Sequence, residues 1–368
     1  MIGQPLPVSN ASRRILNNCS CITPRRGFLA GLLAAGASAM LPGCTTSAPA
    51  NPARSPLIAG HDRIDTHHHF WSPALVATME KMGEGTPIMR NWSVNRTLDD
   101  MDKGGVATSI LSLTAYIGSL PNAAARAAAR ESNEWATKLR SDKPGRFGLF
   151  AAIPMQDTEG ALREIEYALD VLKADGIGVH TNYGGNKWLG HPSFAPIMDE
   201  LNRRQAIVYT HPRSASCCVN LQTGIPDTVV EFGTDTTRTI IDTVFSGTAA
   251  RYTNLRYIFS HAGGTLPFLT ERLVMAPVLD PKLQPRVPRG VLTELQRFYY
   301  DTAWAMRPVA LASLTQLVGS SQILLGSDYP YRTGYDTVTG VEAYGFAAAD
   351  LRAIERDNAM RLMPRLGA

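Results

Sequence analysis

The sequence predicts an α/β chain built as one (β/α)8 TIM barrel, and three observations carry that expectation. From about residue 63 onward, apolar runs of strand length alternate with longer stretches of helical periodicity. Eight such alternations fit a barrel, because consecutive parallel strands need right-handed crossover helices. Four of the runs end in side chains able to bind a divalent metal: His67 and His69, His211, His261 and Asp328. A barrel collects its strand ends at one mouth, where residues distant in sequence converge. The competing architecture, an open doubly wound sheet, would bind its ligand at one switch point, and no glycine-rich phosphate fingerprint is visible.

The strands are expected at 63–69, 107–114, 146–153, 176–181, 206–211, 256–261, 298–303 and 322–328. Helices are expected between them near 122–141, 157–173, 193–204, 236–249, 265–275, 307–318 and 346–363. The first strand–helix step is less regular, with a helix only near 97–104. A hydrophobic content of 44% is enough for a large buried core.

The net charge of +4 is concentrated at one end: residues 1–50 hold four arginines (Arg13, Arg14, Arg25, Arg26) and no acidic residue, leaving 32 basic against 32 acidic in the remainder. That balance disfavours a nucleic-acid partner. Residues 1–50 read as an export signal: Pro24-Arg25-Arg26-Gly27-Phe28-Leu29 resembles a twin-arginine motif, followed by an apolar stretch to Met40 too short for the ~20 residues a membrane span needs. Leu41-Pro42-Gly43-Cys44 resembles a lipoprotein box, and Ala48-Pro49-Ala50 offers an ordinary signal-peptidase site. The expected location is the periplasm or envelope, with membrane attachment only through the leader or a lipid; a cytoplasmic chain with a chance Arg-Arg pair is the alternative. Residues 51–61 read as a linker and 62–368 as the barrel. Outside the leader only Cys217 and Cys218 remain, an adjacent pair suited to packing or soft metal ligation rather than to a disulfide framework.

Strand side chains alternate, so His67 and His69 are expected to face the barrel mouth together, with His68 outward and structural. Asp65, two residues before His67, is expected to orient a metal ligand from below. His211 ends its strand against Pro212. His261 precedes a glycine pair that permits close backbone approach, and it suits acid–base work because imidazole titrates near neutrality. Asp328 combines a metal-binding carboxylate with the ability to carry a proton. Imidazoles plus a carboxylate point to zinc, with manganese as the alternative.

The order His-x-His, His, His, Asp over strands 1, 5, 6 and 8 resembles the amidohydrolase superfamily. More narrowly, the chain is similar to its branch of α-amino-β-carboxymuconate-ε-semialdehyde and γ-resorcylate decarboxylases, and to 6-methylsalicylate decarboxylase-like members. The segments that carry this are Ile64–Phe70, Thr181-Asn182-Tyr183-Gly184-Gly185, Ser260–Phe268, Tyr300-Asp301-Thr302-Ala303 and Gly326–Pro330. The resemblance implies that His67, His69, His211 and Asp328 ligate one metal, with His261 beside the metal-bound water. One metal is implied because Gly176–Thr181 lacks the bridging lysine of other branches. It also implies an early-loop arginine on the substrate carboxylate, for which Arg96 stands nearest. Arg238 is a second carboxylate candidate or else a helix-surface ion pair. His180 reads as a substrate contact or a polar cap on the core; Tyr183 and Trp304 read as ring-stacking residues or rim packing. Asp301 reads as a buried structural acceptor.

The expected function is metal-dependent, non-oxidative decarboxylation of a hydroxylated aromatic or related unsaturated carboxylic acid, with His261 and Asp328 as the catalytic pair. The same metal set would serve hydrolysis of a lactone or amide, and a non-catalytic ligand-binding barrel is the third possibility. The partner is a small carboxylic acid, with a homodimer as the expected assembly.

Overall fold

A computed structural model describes residues 62–185, 187–221 and 224–367. The export signal, its cleavage sites, the linker up to residue 61 and Cys19, Cys21 and Cys44 lie outside the described residues. Eight parallel strands follow one another in sequence order: β1 Arg63–His69, β2 Val106–Ser112, β3 Phe147–Ala152, β4 Gly176–His180, β5 Ile207–His211, β6 Arg256–Phe259, β7 Tyr299–Asp301 and β8 Ile323–Leu324. β8 is shorter than expected because beyond Leu324 the chain turns from β7 to β1. Thr66 N donates to Leu325 O at 2.9 Å, Asp328 N to His67 O at 2.8 Å and His69 N to Tyr329 O at 2.8 Å. These bonds bridge the seam of the barrel and fix Asp328 against the strand that carries His67 and His69.

The strands are nearly all buried, as parallel strands covered on both faces must be. Ile64, Ile110, Phe150, Ile207, Tyr209, Ile258 and Leu324 form one apolar cluster drawn from six strands. Ala359, Leu362 and Met363 from the C-terminal region pack against it. The larger cluster lies between strands and helices and includes Phe147, Leu149, Val179, Phe259 and Tyr300. Arg63, fully enclosed at the start of β1, donates to Glu355 at 2.8 Å and Glu342 at 2.6 Å, tying the first strand to the last helical segments.

The β1–β2 step holds three helices, Pro73–Lys81, Pro87–Asn91 and Val94–Gly104. Each begins at a hydroxyl cap: Ser72 on Leu75 N, Thr86 on Met89 N and Ser93 on Arg96 N. The Ser-Pro and Thr-Pro pairs were the signal for the first two, which the sequence pattern alone did not separate. Helix Glu231–Phe245 starts earlier than expected, and helix Leu266–Leu279 runs later, through Pro277. Among the described residues, no helix is long and apolar enough to cross a membrane.

Candidate active site

Strand ends β1, β5 and β6 and the turn after β8 bring His67, His69, His211, His261 and Asp328 together. One ligand atom from each of His67, His69, His211 and Asp328 lies within 4.8 Å of all the others. Asp328 is the hub, and its two oxygens face different groups. Oδ1 lies 2.8 Å from His69 Nε2, 3.1 Å from His67 Nε2 and 3.8 Å from His211 Nε2. Oδ2 lies 3.3 Å from His261 Nε2 and accepts from Trp304 Nε1 at 2.6 Å.

The donor set fits a divalent ion. His67 Nε2 and His211 Nε2 are buried without a hydrogen-bond partner, although both lie near the same carboxylate oxygen. Buried polar atoms left this way are costly unless something else satisfies them. The far side of two rings is held: His67 Nδ1 faces Asp301 Oδ2 at 2.8 Å, and His69 Nδ1 faces Ser112 Oγ at 3.1 Å. Such bonds fix ring orientation and leave Nε2 for an ion. Burial opposes a proton on His67, but the carboxylates of Asp301 and Asp328 outweigh it and push its pKa up to about 10. Burial alone would raise Asp328, yet the surrounding imidazoles hold it well below the usual carboxylate range. Burial dominates at His211 and keeps it well below the ordinary imidazole value.

The local backbone is bent to make this cluster. His261, Trp304 and Asp328 all have positive φ, at 54°, 54° and 67°. Such conformations are uncommon for residues with a side chain and cost of order 1–3 kcal/mol each. Gly326 is required beside them, since a Cβ there would meet Asp301 Cβ at 2.7 Å and His67 Cβ at 2.8 Å. The glycine pair after His261 serves a different neighbour from the one expected: a Cβ on Gly264 would meet Gly233 O at 1.8 Å, so the close approach is to helix Glu231–Phe245.

Asp65 also differs from expectation. A register shift between Asp65 and His68 breaks the strict alternation of β1. Its carboxylate takes His68 Nδ1 at 3.0 Å and Ser327 Oγ at 2.6 Å, touching neither the His67 nor the His69 ring. Asp301 holds His67 instead. His68 is buried on the other face and stacks on Tyr329, as a structural residue.

The structure does not bring Arg96 to the cluster. It is exposed, donates to Asn91 O at 2.8 Å and lines a separate cavity of about 700 Å³ with Asp99, Asp100 and Lys103. Its place in the first turn of the helix capped by Ser93, with the guanidinium bonded back to Asn91 O, directs it there. Arg238 lies 3.2 Å from Glu231 Oε2 and 3.8 Å from Asp235, the ion pair on its own helix that the sequence offered as one of two readings. Trp304 leaves its indole half exposed while its N–H anchors Asp328. Tyr183 is buried rim packing against Phe194, and its hydroxyl accepts from His180 N at 2.9 Å. His180 stands 6.4 Å, ring to ring, from His211, with its Nδ1 buried and unpartnered. Cys217 and Cys218 adjoin each other and are not part of the metal-type cluster.

Sequence reasoning missed Ser112, Tyr116 and Arg213. Arg213 follows His211 by two residues, and that position, just past a metal-type histidine at a strand's C-terminal end, was the available signal.

A parallel barrel with three histidines and an aspartate converging at its mouth defines a class of metal-dependent barrel enzymes. Within that class the chain belongs to the Amidohydrolase family, whose profile matches residues 64–365. It is 37% identical over 328 residues to decarboxylase yanB of Aspergillus niger, covering 83% of this chain and 88% of that one. It is 34% identical over 315 residues to the 6-methylsalicylic acid decarboxylase of Penicillium expansum, covering 83% and 97%. In fold it is similar to 2,6-dihydroxybenzoate decarboxylase from Rhizobium, with a TM-score of 0.73 at 24% identity over 83% of this chain and 99% of that one. A dihydroxybenzoic acid decarboxylase from Polaromonas sp. JS666, solved with bound manganese, gives 0.71 at 23% identity over 83% and 98%.

Proposed function

We propose that the chain is a metal-dependent, non-oxidative decarboxylase of a hydroxylated aromatic carboxylic acid of the 6-methylsalicylate type. The observation that carries this is the division of Asp328, with Oδ1 turned to three histidines and Oδ2 to His261 and Trp304. Relatives covering most of the chain at 34–37% identity are decarboxylases, which supports the same chemistry.

His67, His69, His211 and Asp328 would hold one divalent ion, zinc by donor chemistry or manganese as in the related structure. Bound there, the ion supplies Lewis acidity for an anionic aromatic ligand. The chain's own residues handle the proton. His261 Nε2 and Asp328 Oδ2, 3.3 Å apart, share a proton that passes to the ring carbon bearing the carboxylate. The C–H bond forms, the C–C bond to the carboxylate breaks, CO₂ leaves, and the electron pair restores the aromatic ring. Trp304 Nε1 holds Oδ2 in place through the transfer.

The test is a panel of 6-methylsalicylate, other hydroxybenzoates and lactones offered to the zinc- or manganese-loaded full chain. CO₂ release from hydroxybenzoates with intact lactones is the expected result; lactone opening with no CO₂ release would replace decarboxylation by hydrolysis.

Two further expectations remain part of the proposal. Export rests on the leader motifs of residues 1–50, and cell fractionation decides it. A homodimer is supported by the exposed Phe268, Val278 and Leu279 of helix Leu266–Leu279, and the mass in solution decides it.

A further inference from the structure

Many arginines of this chain sit against carboxylates, among them Arg63, Arg126, Arg130, Arg238 and Arg297. Arg213 belongs with those that do not. Its guanidinium has no carboxylate within 4.0 Å among the described residues, and its one protein hydrogen bond is a long one, Nη1 to Asn182 Oδ1 at 3.4 Å. Yet the side chain is held in place. Its guanidinium carbon lies 3.6 Å from the centre of the Tyr116 ring, a stacking distance. Its backbone N–H donates to Thr181 Oγ1 at 3.3 Å, and its carbonyl accepts from Asn182 Nδ2 at 3.0 Å.

Those two supports are themselves fixed. Asp235, wholly buried, accepts from Thr181 Oγ1, from Asn182 Nδ2 at 2.6 Å and from Trp188 Nε1 at 2.9 Å. The fold thus orders a half-buried cation through a buried carboxylate that does not itself neutralise it. The location is the barrel mouth: Tyr116 packs edge-on to His180 at 5.5 Å, and His180 faces His211. A guanidinium is a planar fork of donors matched to a carboxylate.

We infer that Arg213 grips the carboxylate of the aromatic acid bound at the metal-type cluster, with Tyr116 and Asn182 as its positioning residues. The inference rests on the reading of the site as one that takes an aromatic acid. It also gives that acid a direction. The carboxylate lies toward β4 and β5, and the proton pair His261–Asp328 works from the β6 and β8 side. A grip on the carboxylate is strongest before reaction, because CO₂ departs without charge. Arg213 therefore acts mainly on substrate affinity, hence on KM more than on kcat.

The experiment titrates the manganese-loaded full chain with 6-methylsalicylate and with 3-methylphenol, its decarboxylation product, which lacks the carboxylate. Wild type, Arg213→Met and Arg213→Lys are compared, since methionine keeps an apolar stem over Tyr116 and lysine keeps the charge. The expected result is a loss of about 10- to 100-fold in affinity for the acid in Arg213→Met, unchanged phenol binding, and partial recovery in Arg213→Lys. Unchanged acid binding in Arg213→Met, or equal weakening of acid and phenol, overturns the inference. CO₂ release is followed separately on the wild type: its absence refutes the decarboxylase reading, while the acid–phenol difference still decides the role of Arg213.

Discussion

At the scale of single residues, the mouth of the barrel concentrates buried imidazoles with different tasks. His180 is the clearest case outside the metal-type set. Burial first, and then the charge of Arg213, push its pKa from the ordinary 6.5 down to about 4. A histidine that stays neutral in the fold but takes a proton in the unfolded chain lowers stability as pH falls. Its cost is absent above about pH 6.5, grows between about 6.5 and 4, and is constant below. His180→Asn is expected to flatten that part of the decline, seen as a smaller shift in denaturant midpoint between pH 7 and pH 4 than in wild type. Equal shifts in the two proteins would show that His180 does not contribute.

At the scale of elements, the barrel interior depends on aromatic packing. Phe150 of β3 stacks on Tyr209 of β5 with ring centres 5.0 Å apart, and Tyr209 in turn lies 5.4 Å from His67. Phe150→Ala is expected to lower unfolding stability by about 3–5 kcal/mol, measured by denaturant titration, because the enclosed site leaves a cavity. A loss below about 1 kcal/mol would mean that the interior collapses to fill it. The strands were legible because eight apolar runs alternate with helices, and their ends were displaced by only a few residues. Helix Gly334–Ala343 was not legible: Thr337, Val338, Thr339 and Val341 are β-branched and weaken the helical signal, while packing against Val94–Gly104 supports it. The segment 346–363 was read as one helix and is helical without a break from Ala348 to Leu362, with a wider π-type stretch at Ala353–Asp357 that the sequence pattern did not reveal.

At the scale of the whole molecule, convergence is the property that makes the site. The residues able to bind metal were legible from their types at strand ends. Their supports were not: Asp301 reaches His67 from β7 past β8, and Asn182 meets Arg213 through loops after the adjacent strands β4 and β5, whose side-chain directions spacing does not give. Arg96 could not be placed from spacing either: it stands near the site along the chain, whereas its helix turns the side chain to an outer cavity. Arg63 shows the long-range economy of the fold, joining β1 to Glu342 and Glu355 almost three hundred residues later. That contact holds the start of β1, and the β1–β8 seam holds its other end, where Asp328 lies.

The most direct test of the account is CO₂ release from 6-methylsalicylate by manganese-loaded wild type and His261→Asn, with metal content determined on the same samples. One bound ion is expected in both proteins, with turnover in the wild type and a rate lower by about 100-fold or more in the variant, the size expected for loss of a proton-transfer group. Full metal content with an unchanged rate in His261→Asn would contradict the assignment of the proton to the His261–Asp328 pair.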